Sequence, residues 1–302
     1  CLVKNGQTIL SQHLGDMEHP AARDEAVRNL SLYQNLFDHK PNAIAVDAHP
    51  AFASSEAGRG LSREREIPLI EIQHHHAHIA SCMAENNWPL DAGRVLGVAL
   101  DGTGWGPDGT VWGGEFMACD YRSYERLGQF KPVALPGGEQ AVRQPWRNAY
   151  AHIRAEMGWA EFAMNFADLD IFKYLNEAPR ETLDGMMASG TQSPLASSCG
   201  RLFDAAAAIT GLLRDEQSYE GHAAMLFEAS IDPAALNEPD SLKYPFSIPL
   251  HQETRMPYIE PLGAWRAMLG DLVVGTPIGT ISARFHRGLA SVIVQMVAKL
   301  SG

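Results

Sequence analysis

Residues 68–85 read PLIEIQHHHAHIASCMAE: a buried-type strand over 68–72 that turns directly into a helix predicted from about His74 to Asn86. The same transition stands upstream, where the apolar run Ala43–Val46 ends in DAHP. It stands again downstream, where Val95–Leu100 closes on a bare aspartate, Asp101, in VALDGTGWG. Strands alternating with helices, with polar residues gathered at strand ends, predict an α/β protein whose chemistry sits along one sheet edge.

His74 and His78 are four residues apart, so on a helix they share one face with Cβ atoms roughly 5–6 Å apart. Asp101, at a strand end, brings a carboxylate to the same edge. Two imidazoles and a carboxylate are borderline-hard donors suited to Zn or Fe(II). His75, Ile79, Cys82 and Met83 form the apolar stripe of this helix, and His76 is expected to face another way. Taken alone, the pair also fits a polar surface at a helix start, and a strand-end aspartate also fits a turn or cap.

The chain has 302 residues, 45% of them hydrophobic, enough to bury a core as one large domain or two lobes. A net charge of −12 without a long basic run disfavours nucleic acid and anionic membrane as main partners. The four cysteines, Cys1, Cys82, Cys119 and Cys199, form no CxxC pair, which fits a reducing cytoplasm better than a disulfide scaffold. No apolar run approaches the ~18 residues of a membrane span, and a soluble cytoplasmic protein is expected. The opening inside a strand-like run and the stop just after a helix suggest an excerpt of a longer chain.

Residues 1–13 read as a hairpin about Asn5-Gly6, and 24–38 as a helix. GTGWGPDGTVWGGEF reads as a glycine-rich hairpin after the 95–100 strand. The second half is more helical, with helices expected at Trp146–Met157, Ala160–Leu175, Leu202–Leu213, Glu220–Ile231 and Pro277–Leu300. Segment 234–262, punctuated by prolines, reads as a surface excursion with short strands.

Glycine-rich turns can free backbone amides for phosphate, particularly beside a helix start. Gly102, Thr103 and Gly104 form one such stretch. Gly200, Arg201 and Asp204 in SSCGRLFDAAAAITG stand at another, where an aspartate could take ribose hydroxyls. Glu220 and Gly221 open the next helix, with Glu228 two turns on. None of these fits a Walker A or dinucleotide fingerprint, and alone Asp204 and Glu228 read as a solvated helix face.

Six ordered strings carry more than their parts: AVDAHPAFASSEAG, QHHHAHIASCMAE, VALDGTGWGPDGTVWGGEF, LPGGEQAVRQPWRNA, SSCGRLFDAAAA and YEGHAAMLFE. Over essentially the whole chain they resemble the carbamoyltransferase region of HypF-type hydrogenase maturation proteins. This region is also similar to TsaD-type tRNA threonylcarbamoyl-transferases and to antibiotic O-carbamoyltransferases. The resemblance implies the actin/Hsp70/sugar-kinase (ASKHA) fold, two α/β lobes around a nucleotide cleft, truncated here at the C-terminus. The lobes are expected at 1–140, carrying the metal motif, and 141–302, carrying nucleotide motifs.

The resemblance also implies metal bound by His74, His78 and Asp101 against the phosphate of carbamoyl-adenylate, made from ATP with or without Mg. The acceptor it implies is the C-terminal cysteine of a HypE-type partner, for cyanide-ligand synthesis in NiFe hydrogenase. A YrdC-like adenylate-forming domain of the same full-length chain is the other implied partner. A further aspartate ligand of the family, in a GDGG-like turn, has no match in this sequence, and His222 stands where glutamine is usual. The missing GxSxG elbow and Cys/His nucleophile pair agree with transfer from a mixed anhydride without a protein nucleophile. Two alternatives stay open. One is a carbamoyltransferase of this fold acting on a small molecule or tRNA. The other is an actin-like ATP-binding scaffold or kinase, which needs no paired histidines.

Overall fold

Asn5 and Gly6 both take positive φ, 53° and 74°, the pair of angles a tight primed hairpin turn demands. They join β1 (Leu2–Lys4) to β2 (Gln7–Ile9) in antiparallel register, Leu2 opposite Ile9, as the sequence predicts. The computed structural model describes residues 1–15, 17 and 19–302, in two compact units, Cys1–Ala77 and His78–Gly302.

In the first unit, α1 (Pro20–Leu36) starts on a proline, whose fixed φ suits the first helical turn. It begins earlier than the expected residue 24. Strands β3 (Ile44–Asp47) and β4 (Leu69–Ile72) pair in parallel, joined by α2 (Ala53–Arg65), a helix that the sequence reading did not identify. The helix seats closely on the strand because Gly58 has no side chain: a Cβ there would lie 2.3 Å from Val46 Cγ1. Helix α3 (His74–Glu85) follows β4 after one residue and carries the chain into the second unit.

The second unit is built on one mixed sheet. Strand β5 (Val95–Trp105) pairs antiparallel with β6 (Val111–Cys119), which pairs antiparallel with β7 (Tyr124–Phe130). The short strand β8 (Val133–Ala134) leads to α4 (Glu139–Arg143), α5 (Pro145–Glu156), α6 (Gly158–Phe166), α7 (Asp170–Glu177) and α8 (Arg180–Ser189). Then β9 (Leu195–Ala196) bridges β6 and β8, and α9 (Cys199–Thr210) and α10 (His222–Ala229) follow. Last come β10 (Tyr258–Ile259), parallel to β7, α11 (Leu262–Val273) and α12 (Ile278–Ser301).

The compact units meet in sequence at Ala77/His78, and β8, β9 and β10 hydrogen-bond into the sheet that β5–β7 begin. One expectation needs correction here. The single helix expected over Ala160–Leu175 is two, α6 and α7, broken by an extended Leu169 (φ −71°, ψ 143°). The break folds Phe172 back so that its ring stacks on Trp159 at 5.2 Å and meets Phe162 at 5.7 Å. An unbroken helix would put residues 159 and 172 some 20 Å apart along its axis.

Helix α9 is the centre of the core. Every residue from Leu202 to Thr210 except Phe203 is buried, and the run Ala205–Ala208 lets α5 approach it closely. Trp265 on α11 and Phe285 on α12 are fully buried against the same cluster. The excursion expected over 234–262 does hold a short strand, β10, but it ends in the start of α11, whose apolar face the prolines concealed. Among the described residues no helix is long and apolar enough to cross a membrane.

Candidate metal centre

The start of α3 is fixed by Gln73, whose side-chain oxygen accepts the His76 amide at 2.8 Å while its amide nitrogen lies 3.1 Å from His75 Nδ1. The helix is continuous from His74 to Glu85, so His74 and His78 stand one turn apart on one face, as their spacing predicts. The apolar stripe differs from the expected one. His75, Ile79 and Met83 are buried as expected, but His76 is buried too and Cys82 is exposed. Burial thus runs down the His75/His76 side of the helix and leaves Cys82 outside it.

In the first unit, His74 is half-buried and its Nδ1 lies 2.6 Å from Asp47 Oδ2. Asp47 ends β3, and its other carboxylate oxygen accepts the His49 amide at 2.7 Å, which fixes the group from both sides. A carboxylate held on Nδ1 sets the imidazole tautomer and leaves Nε2 available as a donor, the usual outer support of a metal-bound histidine. Spacing does not single out Asp47; its signal in the sequence is DAHP, an aspartate closing an apolar run as Asp101 does. Burial lowers the neighbouring His49 pKa, against the charge of Asp47.

In the second unit, His78 Nε2 lies 3.5 Å from Asp101 Oδ2. Asp101 does not end its strand: β5 continues to Trp105. What the sequence reads as a strand end is an irregularity, in which pairing jumps from Leu100–Gly114 to Gly104–Trp112. Asp101, Gly102 and Thr103 thus stand opposite the single residue Gly113. Bulges of this kind re-aim side chains beside functional sites, and here the released carboxylate turns back to accept its own Gly102 amide at 2.6 Å. Gly102–Gly104 therefore belong to the strand and not to a free turn. Between α3 and β5 a cavity of about 600 Å³, lined by Cys82, Met83, Trp88 and Val98, has His78 and Asp101 in its wall.

The start of α9 is built against this bulge. Ser198 caps the helix by accepting the Arg201 amide at 3.1 Å, and its hydroxyl lies 3.1 Å from the Asp101 carbonyl. Gly200 is required at the contact, since a Cβ there would fall 2.8 Å from Gly102 Cα. Glu220 closes the other side. A Cβ on Gly102 would lie 2.3 Å from its Oε1.

The acidic residues expected near nucleotide separate into two kinds. Asp204 is not on a solvated face. It is fully buried, 2.8 Å from Arg201 Nε, and burial pushes its pKa up to about 6 against the pull of Arg201. Glu220 and Glu228 are exposed, with Glu220 Oε1 3.9 Å from Arg201 Nη1. Gly221 adopts φ 85° at the N-cap of α10. The structure thus gathers Gly102, Gly200, Arg201, Asp204 and Glu220 into one cluster, with Arg201 between a core carboxylate and a surface one. Cys199, the one cysteine at this corner, is buried, and burial pushes its thiol up to about 12. It is not poised as a thiolate.

The family described as "Carbamoyltransferase, Kae1-like Domain, second subdomain" matches residues 97–302, and the HypF Kae1-like domain matches residues 1–85. Carbamoyltransferase HypF of Rhodobacter capsulatus is 44% identical over 76% of this chain and 30% of its own length. Its counterpart in Synechocystis sp. is 32% identical over 97% of this chain and 37% of its own length. A crystal structure of full-length HypF in the phosphate- and nucleotide-bound form superposes with a TM-score of 0.82 at 33% identity, over 96% of this chain and 35% of that one. The chain thus spans about a third of the length of these relatives. The fold is the ASKHA-type α/β fold of those structures, and the chain belongs to the HypF carbamoyltransferase family, in its Kae1-like domain.

Proposed function

We propose that this chain is the carbamoyl-transfer module of a HypF-type protein, moving a carbamoyl group from carbamoyl-adenylate to the C-terminal thiol of a HypE-type partner. The observation that carries the reading is the approach of His78 to Asp101 at a strand bulge, with His74 one turn away and braced by Asp47. This donor set fits Zn or Fe(II): two imidazoles and a carboxylate, one imidazole already held in a defined tautomer. When bound there, such an ion supplies positive charge to the phosphate side of the adenylate.

The chain's own residues do the rest. The first turn of α9, whose Arg201 amide is already capped by Ser198, opens beside the bulge at Asp101–Thr103 and is suited to phosphate oxygens. Asp204 neutralises Arg201 from within the core, so Arg201 acts as a fixed brace for Glu220, leaving the Glu220 carboxylate to meet ribose hydroxyls. The direct ribose contact first expected of Asp204 passes to Glu220 and Gly221, while Glu228, exposed farther along α10, is left for the base side. The incoming thiolate is the partner's. No cysteine of this chain takes the carbamoyl group, in keeping with the high pKa of Cys199. The net negative charge supports a protein acceptor over tRNA.

Calorimetry of the natively expressed protein with a non-hydrolysable carbamoyl-adenylate analogue tests the nucleotide side. Glu220→Ala is expected to weaken binding about tenfold, the size of one lost charge-assisted hydrogen bond. Binding unchanged in Glu220→Ala would remove Glu220 from the site.

A further inference from the structure

Behind the Asp101 bulge lies a buried carboxylate that the proposed transfer does not use. Glu115, on β6, is fully buried and accepts four donors. Its Oε1 receives the Gly113 and Gly114 amides at 3.2 and 3.3 Å and the Ser197 hydroxyl at 2.5 Å, and its Oε2 receives Arg126 Nε at 2.6 Å. Arg126 extends the network. Its Nη2 donates to Ser197 Oγ at 3.2 Å, its Nη1 to Asp108 Oδ2 at 3.0 Å, and its guanidinium lies 4.1 Å over the Trp112 ring.

What Glu115 holds is the wall against which Asp101 rests. Gly113 is the single residue opposite the bulge, and a Cβ on it would lie 2.7 Å from the Asp101 carbonyl oxygen and 3.1 Å from Ser198 Cα. A Cβ on Gly114 would lie 2.4 Å from the Ser197 carbonyl oxygen. Three backbones therefore meet closely, β5 at the bulge, β6 at Gly113-Gly114 and the Ser197-Ser198 entry to α9, with the Phe130 ring packed on Gly114. Two glycines give close approach but no rigidity. One carboxylate binding both glycine amides and the serine beside the cap restores it. A group this deeply buried is costly to leave incompletely bonded, so its geometry is stiff.

We propose that Glu115 is a positioning residue for the metal centre, fixing the Asp101–Gly102 segment through Gly113, Gly114 and Ser197, with Arg126 as its counter-ion. The inference rests on the reading of His74, His78 and Asp101 as metal ligands. The WGGEF string then has a physical reason: the glycines permit the contact and the glutamate locks it.

The test uses the natively expressed protein, with zinc titrated against a chromogenic chelator and amide hydrogen exchange followed across 101–104. Glu115→Ala is expected to weaken zinc binding ~10-fold or more, within the range of outer-support losses at metal sites. It should also strip exchange protection from 101–104. Ser197→Ala, a milder change, should move both in the same direction by less. Phe162→Leu, a core change on α6, is the control and should leave both unchanged. Zinc affinity and 101–104 protection preserved in Glu115→Ala and Ser197→Ala, or lost equally in Phe162→Leu, would overturn the proposal. Loss of protection together with zinc binding that is insensitive to Asp101→Asn would instead overturn the ligand assignment and leave Glu115 holding the bulge alone.

Discussion

His78→Ala is expected to strip the protein of its metal and to lower carbamoyl transfer by at least about 100-fold, while leaving the fold intact. The side chain is well exposed (59%), so truncation removes little packing, and alanine is a good helix former at this exposed position of α3. What is lost is one of the three proposed ligands, His74, His78 and Asp101. Elemental analysis after dialysis, compared with thermal unfolding of the same sample, separates the two effects. Full metal content in His78→Ala would withdraw the histidine pair from the centre.

The second large effect lies away from the site. Lys131 Nζ binds Glu156 Oε2 at 3.1 Å and Glu260 Oε1 at 3.0 Å, and the Glu156 side chain is wholly buried. Burial pushes the Glu156 pKa up, Lys131 offsetting it only in part. Burial lowers that of Lys131, but the hydrogen bonds and charges of Glu260 and Glu156 outweigh it and the net shift is upward. The two shifts pull oppositely on the same pair. The deeper carboxylate feels desolvation more, and the ammonium has two carboxylates to hold it.

Lys131→Met should therefore cost about 3–5 kcal/mol at neutral pH, the penalty of a buried charge left alone. The sign of its pH dependence follows. A carboxyl whose folded pKa lies above its unfolded value favours the fold below the unfolded pKa and loses that contribution as pH rises through the folded one. The deficit of Lys131→Met should accordingly be smaller at pH 5 than at pH 8, and Glu156→Gln in the same chain should flatten that difference. Denaturant unfolding at the two pH values measures it, and a deficit that does not change with pH would show that Glu156 is not the group left uncompensated.

Much of this was legible in the residues. Spacing alone placed His74 and His78 on one helical face, and the apolar run before Asp101 placed that carboxylate on a strand. The rest depended on tertiary partners that a sequence does not display. Asp204 reads as a solvated helix position because its neighbours are small, yet the alanine run that makes α9 look bland is what lets other helices surround it. His76 and Cys82 exchanged expected places because α3 is buried along one side only, and the side cannot be read from a helix rich in histidine. Asp101 looked like a strand end because a bulge and a terminus share the same glycine-rich signature. The Trp159–Phe172 stacking that splits α6 from α7 is likewise a contact between residues that a continuous periodicity hides.

The most direct test of carbamoyl transfer by this module is mass spectrometry of the HypE-type acceptor after incubation with the natively expressed protein, carbamoyl phosphate and ATP. Wild type and Cys199→Ser are both predicted to leave a carboxamide on the acceptor's C-terminal cysteine, with no adduct on Cys199, whereas His74→Ala leaves the thiol unmodified. A carboxamide formed equally well by His74→Ala, or a carbamoyl adduct on Cys199 whose loss in Cys199→Ser abolishes transfer, would contradict the account.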